Sequence, residues 1–170
     1  RSSKTMEIEH LFPSHGSNPH DCQLIENGTV LAITNGGGYT GSDSIPCVTY
    51  VEISTHKLLQ KYEMTDPRFN VGHLIVSRSK DLAVASAPRL GLPEDGPGAF
   101  SLLGKDGALR NLNTPEVNAN LKSETLSLCV DEQRGVVATT SPAGNLVTFW
   151  NLRSGELISS LELTNPRGIV

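Results

Sequence analysis

Two histidines stand where a short apolar run begins: His20 in "NPHDCQLI" and His73 in "GHLIVS". Imidazole changes charge near neutrality, and each ring nitrogen can donate, accept or bind a metal. Two such residues at equivalent points in a repeat could hold a ligand together, share a proton, or simply bond to a neighbouring strand. Asn35, Ser141 and Asn145 close the turns "TNGGG" and "TTSPAGN". Each asparagine offers a donor and an acceptor, and the serine offers a hydroxyl. These five, His20, Asn35, His73, Ser141 and Asn145, are the candidate ligand-binding residues. They specify no metal and no cofactor.

Other motifs carry less. Gly36, Gly37 and Gly38 lead into a strand-like run, without the Gly-Lys-Ser/Thr ending or the following helix of a nucleotide loop. They read as turn glycines, although successive backbone amides there could also cradle an anion. Ser141 lacks the Gly-x-Ser-x-Gly elbow of a nucleophilic serine, and Pro142 after it signals a turn. His10, His15 and His20 recur every five residues, which places them on no common helix face. Glu94 and Asp95 lie in the Pro/Gly-rich "APRLGLPEDGPG" and read as solvated acids. Asn27-Gly28-Thr29 fits a glycosylation sequon, and more simply a hairpin turn.

The totals narrow the class. The chain has 170 residues, 37% hydrophobic and 19% charged, with a net charge of −4. That suits a globular protein, and the absence of a Lys/Arg cluster argues against nucleic acid as a partner. No apolar run approaches the ~20 residues of a membrane span. Cys22, Cys47 and Cys129 form no Cys-x-x-Cys pair and are expected as buried free thiols.

Positioning of the candidates follows from a repeat of about fifty residues. "GTVLAITN", "KDLAVASA" and "RGVVATTS" share one order of turn residue, apolar run and small polar residues; Val30, Leu82 and Val136 align at spacings of 52 and 54 residues. Each follows another apolar run: "DCQLI", "GHLIVS" and "ETLSLCV". "CVTYVEISTHKLLQKYEM", "FSLLGKDGALRNLN" and "LVTFWNLRSGELISSLEL" then each supply a strand, a polar turn and a strand.

Four short strands per unit predict an all-β fold, a β-propeller of four-stranded antiparallel blades. The blades are expected at about 19–64, 72–113 and 124–163, with a short helix at about 115–122 that Thr114 caps and Pro115 opens. Residues 6–12 and 166–170 read as strands of flanking blades, so the chain is expected to be a fragment: three complete blades and one strand at each end. Remaining blades would come from another fragment or chain. "FWNLRSGEL" reads as the third strand, turn and fourth strand of a WD-type repeat, with Asn151 where that repeat carries Asp. Trp150 is expected to pack between blades.

"NPHDCQLIENGTVLAITNGGG", "VGHLIVSRSKDLAVAS", "LPEDGPG" and "VVATTSPAGNLVTFWNLRSGEL", in this order, resemble landmarks of an uncharacterised family of exported bacterial seven-bladed propellers, within the WD/YVTN-like group. The resemblance covers about residues 17–163. Asp21 departs from a usual Glu, and the loop after Gly38 is shorter than in the family. The resemblance implies a periplasmic setting and brings no established activity.

In a propeller the link into a first strand and the link between second and third strands emerge on one face. The candidate residues are thereby expected near the channel mouth on that top face. The favoured reading is non-catalytic: a binding or scaffold module whose top-face loops contact a protein partner or small ligand. The alternative is a channel-mouth enzyme, such as a metal-assisted hydrolase or a lactonase-like propeller, with ligands drawn from several blades.

Overall fold

The computed structural model describes residues 2–170. Its strands form three four-stranded antiparallel sheets. Blade 1 is β1 (Pro19–Ile25), β2 (Val30–Asn35), β3 (Cys47–Glu52) and β4 (Leu58–Glu63). Blade 2 is β5 (His73–Val76), β6 (Leu82–Ser86), β7 (Ala99–Leu103) and β8 (Leu109–Asn111). Blade 3 is β9 (Ser127–Asp131), β10 (Val136–Ser141), β11 (Leu146–Asn151) and β12 (Leu157–Glu162). Each strand pairs with its neighbour in sequence, the meander of a propeller blade. The fold is a β-propeller, and the chain supplies three of its blades.

Both faces of the middle strands are covered, so β2, β6 and β10 are almost continuously buried instead of alternating. Two cores fill the gaps between blades. The first joins Ala32 and Val48 of blade 1 to Leu74, Leu82 and Val84 of blade 2. The second joins Ala83, Phe100 and Leu102 of blade 2 to Val137, Leu146 and Trp150 of blade 3. Trp150 is completely buried and lies 5.0 Å from the Phe100 ring, and its Nε1 donates to Thr148 Oγ1 at 2.8 Å.

These faces correct the repeat alignment by one residue. Ala32 and Ala83 both face the following blade, as does Ala138 by its register, so Leu82 corresponds to Leu31 and not to Val30. The β5–β6 hairpin is one residue shorter, counted from the same rung, than the β1–β2 and β9–β10 hairpins. In a strand, a shift of one residue exchanges the two faces.

Several expectations change in detail. The helix is only Pro115–Asn118, with Thr114 Oγ1 accepting from the Val117 amide. Asn118 and Asn120 favour turns over helix interior, and the chain instead drops Val117 and Leu121 into the second core. Residues 6–12 and 166–170 carry no strand, because no described sheet edge pairs with either. Cys47 is buried, but Cys129 is half-buried and Cys22 exposed. Cys22 lies on the side of β1 that carries Leu24, turned away from blade 2, and Leu24 too is exposed there.

Turn chemistry agrees with the repeat. Asn151 Oδ1 accepts from the amides of Arg153 and Ser154, both at 2.9 Å, so an amide oxygen does the work of the Asp carboxylate in the WD pattern.

Candidate functional site

The first strands lie innermost, and their upper ends form the rim. β1 carries a bulge between Pro19 and Cys22, which puts both His20 and Asp21 opposite Thr34. The Thr34 hydroxyl fixes this bulge, accepting from the Asp21 amide at 2.8 Å and donating to its carbonyl at 3.2 Å. The Asp21 carboxylate then reaches across to blade 2. Its Oδ2 accepts from His73 Nδ1 and from the Leu74 amide, each at 3.3 Å, while Oδ1 accepts from the Cys22 amide at 2.8 Å. The rings of His20 and His73 meet edge to face, centroids 4.9 Å apart.

Register explains why these residues converge. His73 pairs with Ala85 and Ser127 pairs with Thr140, and these rungs correspond to the Thr34 rung that carries Asp21. Asp21, His73 and Ser127 therefore occupy one level of three successive blades. Thr140 repeats the role of Thr34: its hydroxyl accepts from the Ser127 amide at 3.2 Å and donates to the Arg167 carbonyl at 3.0 Å. A cavity of about 360 Å³ opens at this level, lined by Asp21, His73, Ser127 and Arg167 over Leu74 and Leu128.

The chemistry follows from which valences remain. In the neutral ring with Nδ1–H directed at Asp21, His73 keeps the Nε2 lone pair as an acceptor or proton acceptor. This is the orientation that a carboxylate imposes on a histidine base. Among the described residues no three His, Cys, Asp or Glu side chains are placed to hold a metal ion.

Of the five residues singled out in the sequence, the structure brings together His20 and His73. Asn35 is completely buried, its Nδ2 donating to the Ile33 carbonyl and to Thr49 Oγ1, with Gly16 packed against it. Ser141 is also buried, and its hydroxyl donates to the Lys122 carbonyl. Neither presents a surface to a ligand: Asn35 is covered by the segment 14–16 that precedes blade 1, and Ser141 by the segment that links blade 2 to blade 3. Asn145 is exposed, but its Oδ1 accepts from the Asn165 amide and anchors the chain after β12. Sequence reasoning passed over Asp21, Ser127 and Arg167 as site residues. The shared rung is the signal that would have found Asp21 and Ser127.

The top-face loops are joined to one another, and the glycine amides are not an anion cradle. The amides of Gly36 and Gly37 are taken by the carbonyls of Asn18 and Ser17, at 2.9 and 3.0 Å. Gly37 has φ 76°, and a Cβ there would strike Pro46 at 2.8 Å, so the turn requires glycine. The Gly38 carbonyl accepts from Nε of Arg89, a guanidinium only 3% exposed. Arg89 also donates to Ser42 Oγ and to the carbonyls of Ser44 and Pro67. The Thr40 amide bonds the Leu90 carbonyl at 2.9 Å, closing loop 36–46 onto loop 87–98. The three-glycine stretch is thus the socket of a buried arginine.

Residues 2–170 match the family model described as "Protein of unknown function (DUF1513)". No curated protein matches the chain. Among solved structures, hydrazine synthase of Kuenenia stuttgartiensis is similar over 86% of this chain and 51% of its own, with a TM-score of 0.61 and 12% identity. The periplasmic gluconolactonase PpgL of Pseudomonas aeruginosa is similar over 89% of this chain and 42% of its own, with a TM-score of 0.53 and 15% identity. The computationally designed protein Ika8 gives 88%, 39%, 0.53 and 13%. At such identities the likeness is one of fold. The chain spans about half, or less, of the length of these structures.

Proposed function

The chain belongs to the DUF1513 family of proteins of unknown function, and we propose that it serves as a binding module whose ligand is held at the inner rim of the propeller, beneath the top-face loops. The observation that carries this reading is the Asp21–His73 contact, two ionisable side chains from adjacent blades meeting beside an open cavity. A contact made only to lock the blades together would not require an exposed imidazole, and the His73 side chain is 39% exposed. We take the full ring as seven-bladed and its setting as periplasmic. The sequence resemblance supports both, and the name of the Pseudomonas aeruginosa neighbour supports the second. No helix among the described residues is long and apolar enough to cross a membrane.

The test is a screen of small metabolites by ligand-observed NMR on the chain and on a His20→Gln/His73→Gln double variant. Binding lost in a variant of unchanged thermal midpoint supports the rim as the site. Binding retained moves the site elsewhere, and retained binding with a lowered midpoint makes the histidines structural.

A second reading is hydrolysis of a lactone or similar ester, favoured by the same Asp21–His73 geometry. His73 Nε2 would take the proton of an attacking water while Asp21 orients the ring. Acid release from D-glucono-1,5-lactone above the spontaneous rate, reduced ~10²-fold or more by His73→Gln, would support it. No release above background would exclude this substrate class.

A further inference from the structure

We propose that the rim cavity accommodates a small hydroxycarboxylate, with its carboxylate on Arg167 and a nearby hydroxyl on Nε2 of His73. The inference rests on the rim being the binding site and adds the chemical class of its ligand.

The valences left unused around the cavity define what it can take. Asp21 has little left to offer a ligand, because three donors already occupy three of the about four acceptor sites on its two oxygens. His73 directs Nδ1 at Asp21, so its remaining nitrogen is an acceptor that calls for a donor such as a hydroxyl. Arg167 is held by its carbonyl on the Thr140 hydroxyl, but its exposed guanidinium forms no ion pair among the described residues. Ser127 is tied to the same threonine through its amide, and its own hydroxyl has no partner among the described residues. The free groups are therefore one cation, one acceptor and one hydroxyl that can serve either way.

That set complements an anion carrying a hydroxyl. The planar guanidinium matches a carboxylate through two parallel N–H donors. A phosphate dianion fits less well, since Arg167 is the one Lys or Arg in the lining and the Asp21 carboxylate lies within the same wall. Leu74 and Leu128 supply an apolar floor against which a short carbon chain can lie. The volume of about 360 Å³ is near the lower end of ligand pockets, roughly 300–1,000 Å³, so the ligand is small.

The experiment is titration with D-gluconate, D-glucose and glucose 6-phosphate, followed by NMR of ¹⁵N-labelled histidine side chains. The wild type, Arg167→Met, Arg167→Lys and His73→Gln are compared, with thermal midpoints confirming that each is folded. Expected are gluconate-dependent shifts at His73, affinity at least tenfold lower in Arg167→Met, partial recovery in Arg167→Lys, and at least tenfold weaker binding of glucose. Glucose or glucose 6-phosphate binding as tightly as gluconate, with loss in His73→Gln, would overturn the ligand class while leaving the rim as the site. Gluconate affinity unchanged in Arg167→Met would remove the arginine and with it the proposal. No response at His73 to any of the three probes would overturn the hydroxycarboxylate inference. The rim reading itself would still be decided by the separate metabolite screen on the double histidine variant.

Discussion

Gln23 and Val76 exchange two hydrogen bonds across the boundary between blades 1 and 2. The Val76 amide donates to Gln23 Oε1 at 2.8 Å, and Gln23 Nε2 donates to the Val76 carbonyl at 3.0 Å. A side-chain amide thus substitutes for a strand partner on the inner edge of β5. Two residues earlier, Asp21 does the same for the Leu74 amide. The inner strands are joined by side chains from alternate positions of β1, and the Asp21–His73 contact is the uppermost rung of that ladder.

The Val76 amide should therefore be protected from hydrogen exchange by Gln23 alone. Losing a hydrogen bond of this kind costs about 1 kcal/mol, and more if the amide stays dry. Gln23→Ala is expected to speed exchange at Val76 by roughly tenfold while leaving the amides of β6 and β7 unchanged. Equal acceleration across blade 2 would mean that Gln23 supports the whole sheet and not one rung.

Trp150 makes a separate prediction about the second core. Its ring is fully buried against Phe100, and aromatic pairs add about 0.5–1.5 kcal/mol beyond area burial. Trp150→Ala should cost about 3–5 kcal/mol in urea unfolding. Trp150→Phe should cost less, keeping most of the packing and giving up the hydrogen bond to Thr148. A loss below ~1 kcal/mol for the alanine variant would show that the core collapses around the gap.

Blade number and strand order were legible in the sequence because hairpin turns punctuate apolar runs at regular intervals. The direction each residue faces was not. Middle strands buried on both sides show no alternation, so nothing in "LAVAS" revealed that Ala83, not Leu82, shares with Ala32 the face toward the following blade. The same limit governed the site. His20 and His73 were found because they begin first strands. Asn35 and Ser141 lie buried because the period of two turns them onto the covered sides of their blades, under the segment 14–16 and the segment before β9. Ser127 and Arg167 join His73 only through a rung and a threonine hydroxyl that appear once the strands are paired.

The cysteines should separate by reactivity. Cys22 is exposed, while burial pushes the thiols of Cys47 and Cys129 up and disfavours their thiolates. With an aromatic disulfide reagent at mild alkaline pH, one equivalent should react quickly, and Cys22→Ser should remove that phase. Cys47 should react only on unfolding. Two fast equivalents in the native protein would indicate that the half-buried Cys129 opens readily.

The last prediction concerns Arg89. Among the described residues its buried guanidinium has no carboxylate partner and is satisfied by neutral acceptors: Gly38, Ser44 and Pro67 carbonyls and the Ser42 hydroxyl. Two effects oppose each other on its removal. Arg89→Met relieves the desolvation of a charge but strands four acceptors. Hydrogen bonds to charged groups contribute about 1.5–3 kcal/mol each, and water can replace some of them at a loop, so the net loss should be on the order of 3 kcal/mol. Arg89→Lys should be no better and can be worse. It keeps the charge, but three donors on a point cannot span acceptors that a planar fork reaches from both sides. Urea midpoints should therefore fall in both variants at a similar slope, and the Thr40 amide, bonded to the Leu90 carbonyl, should lose its protection. If Arg89→Lys instead matched the wild type, positive charge alone would suffice under these loops, and the fork geometry that joins loop 36–46 to loop 87–98 would be incidental.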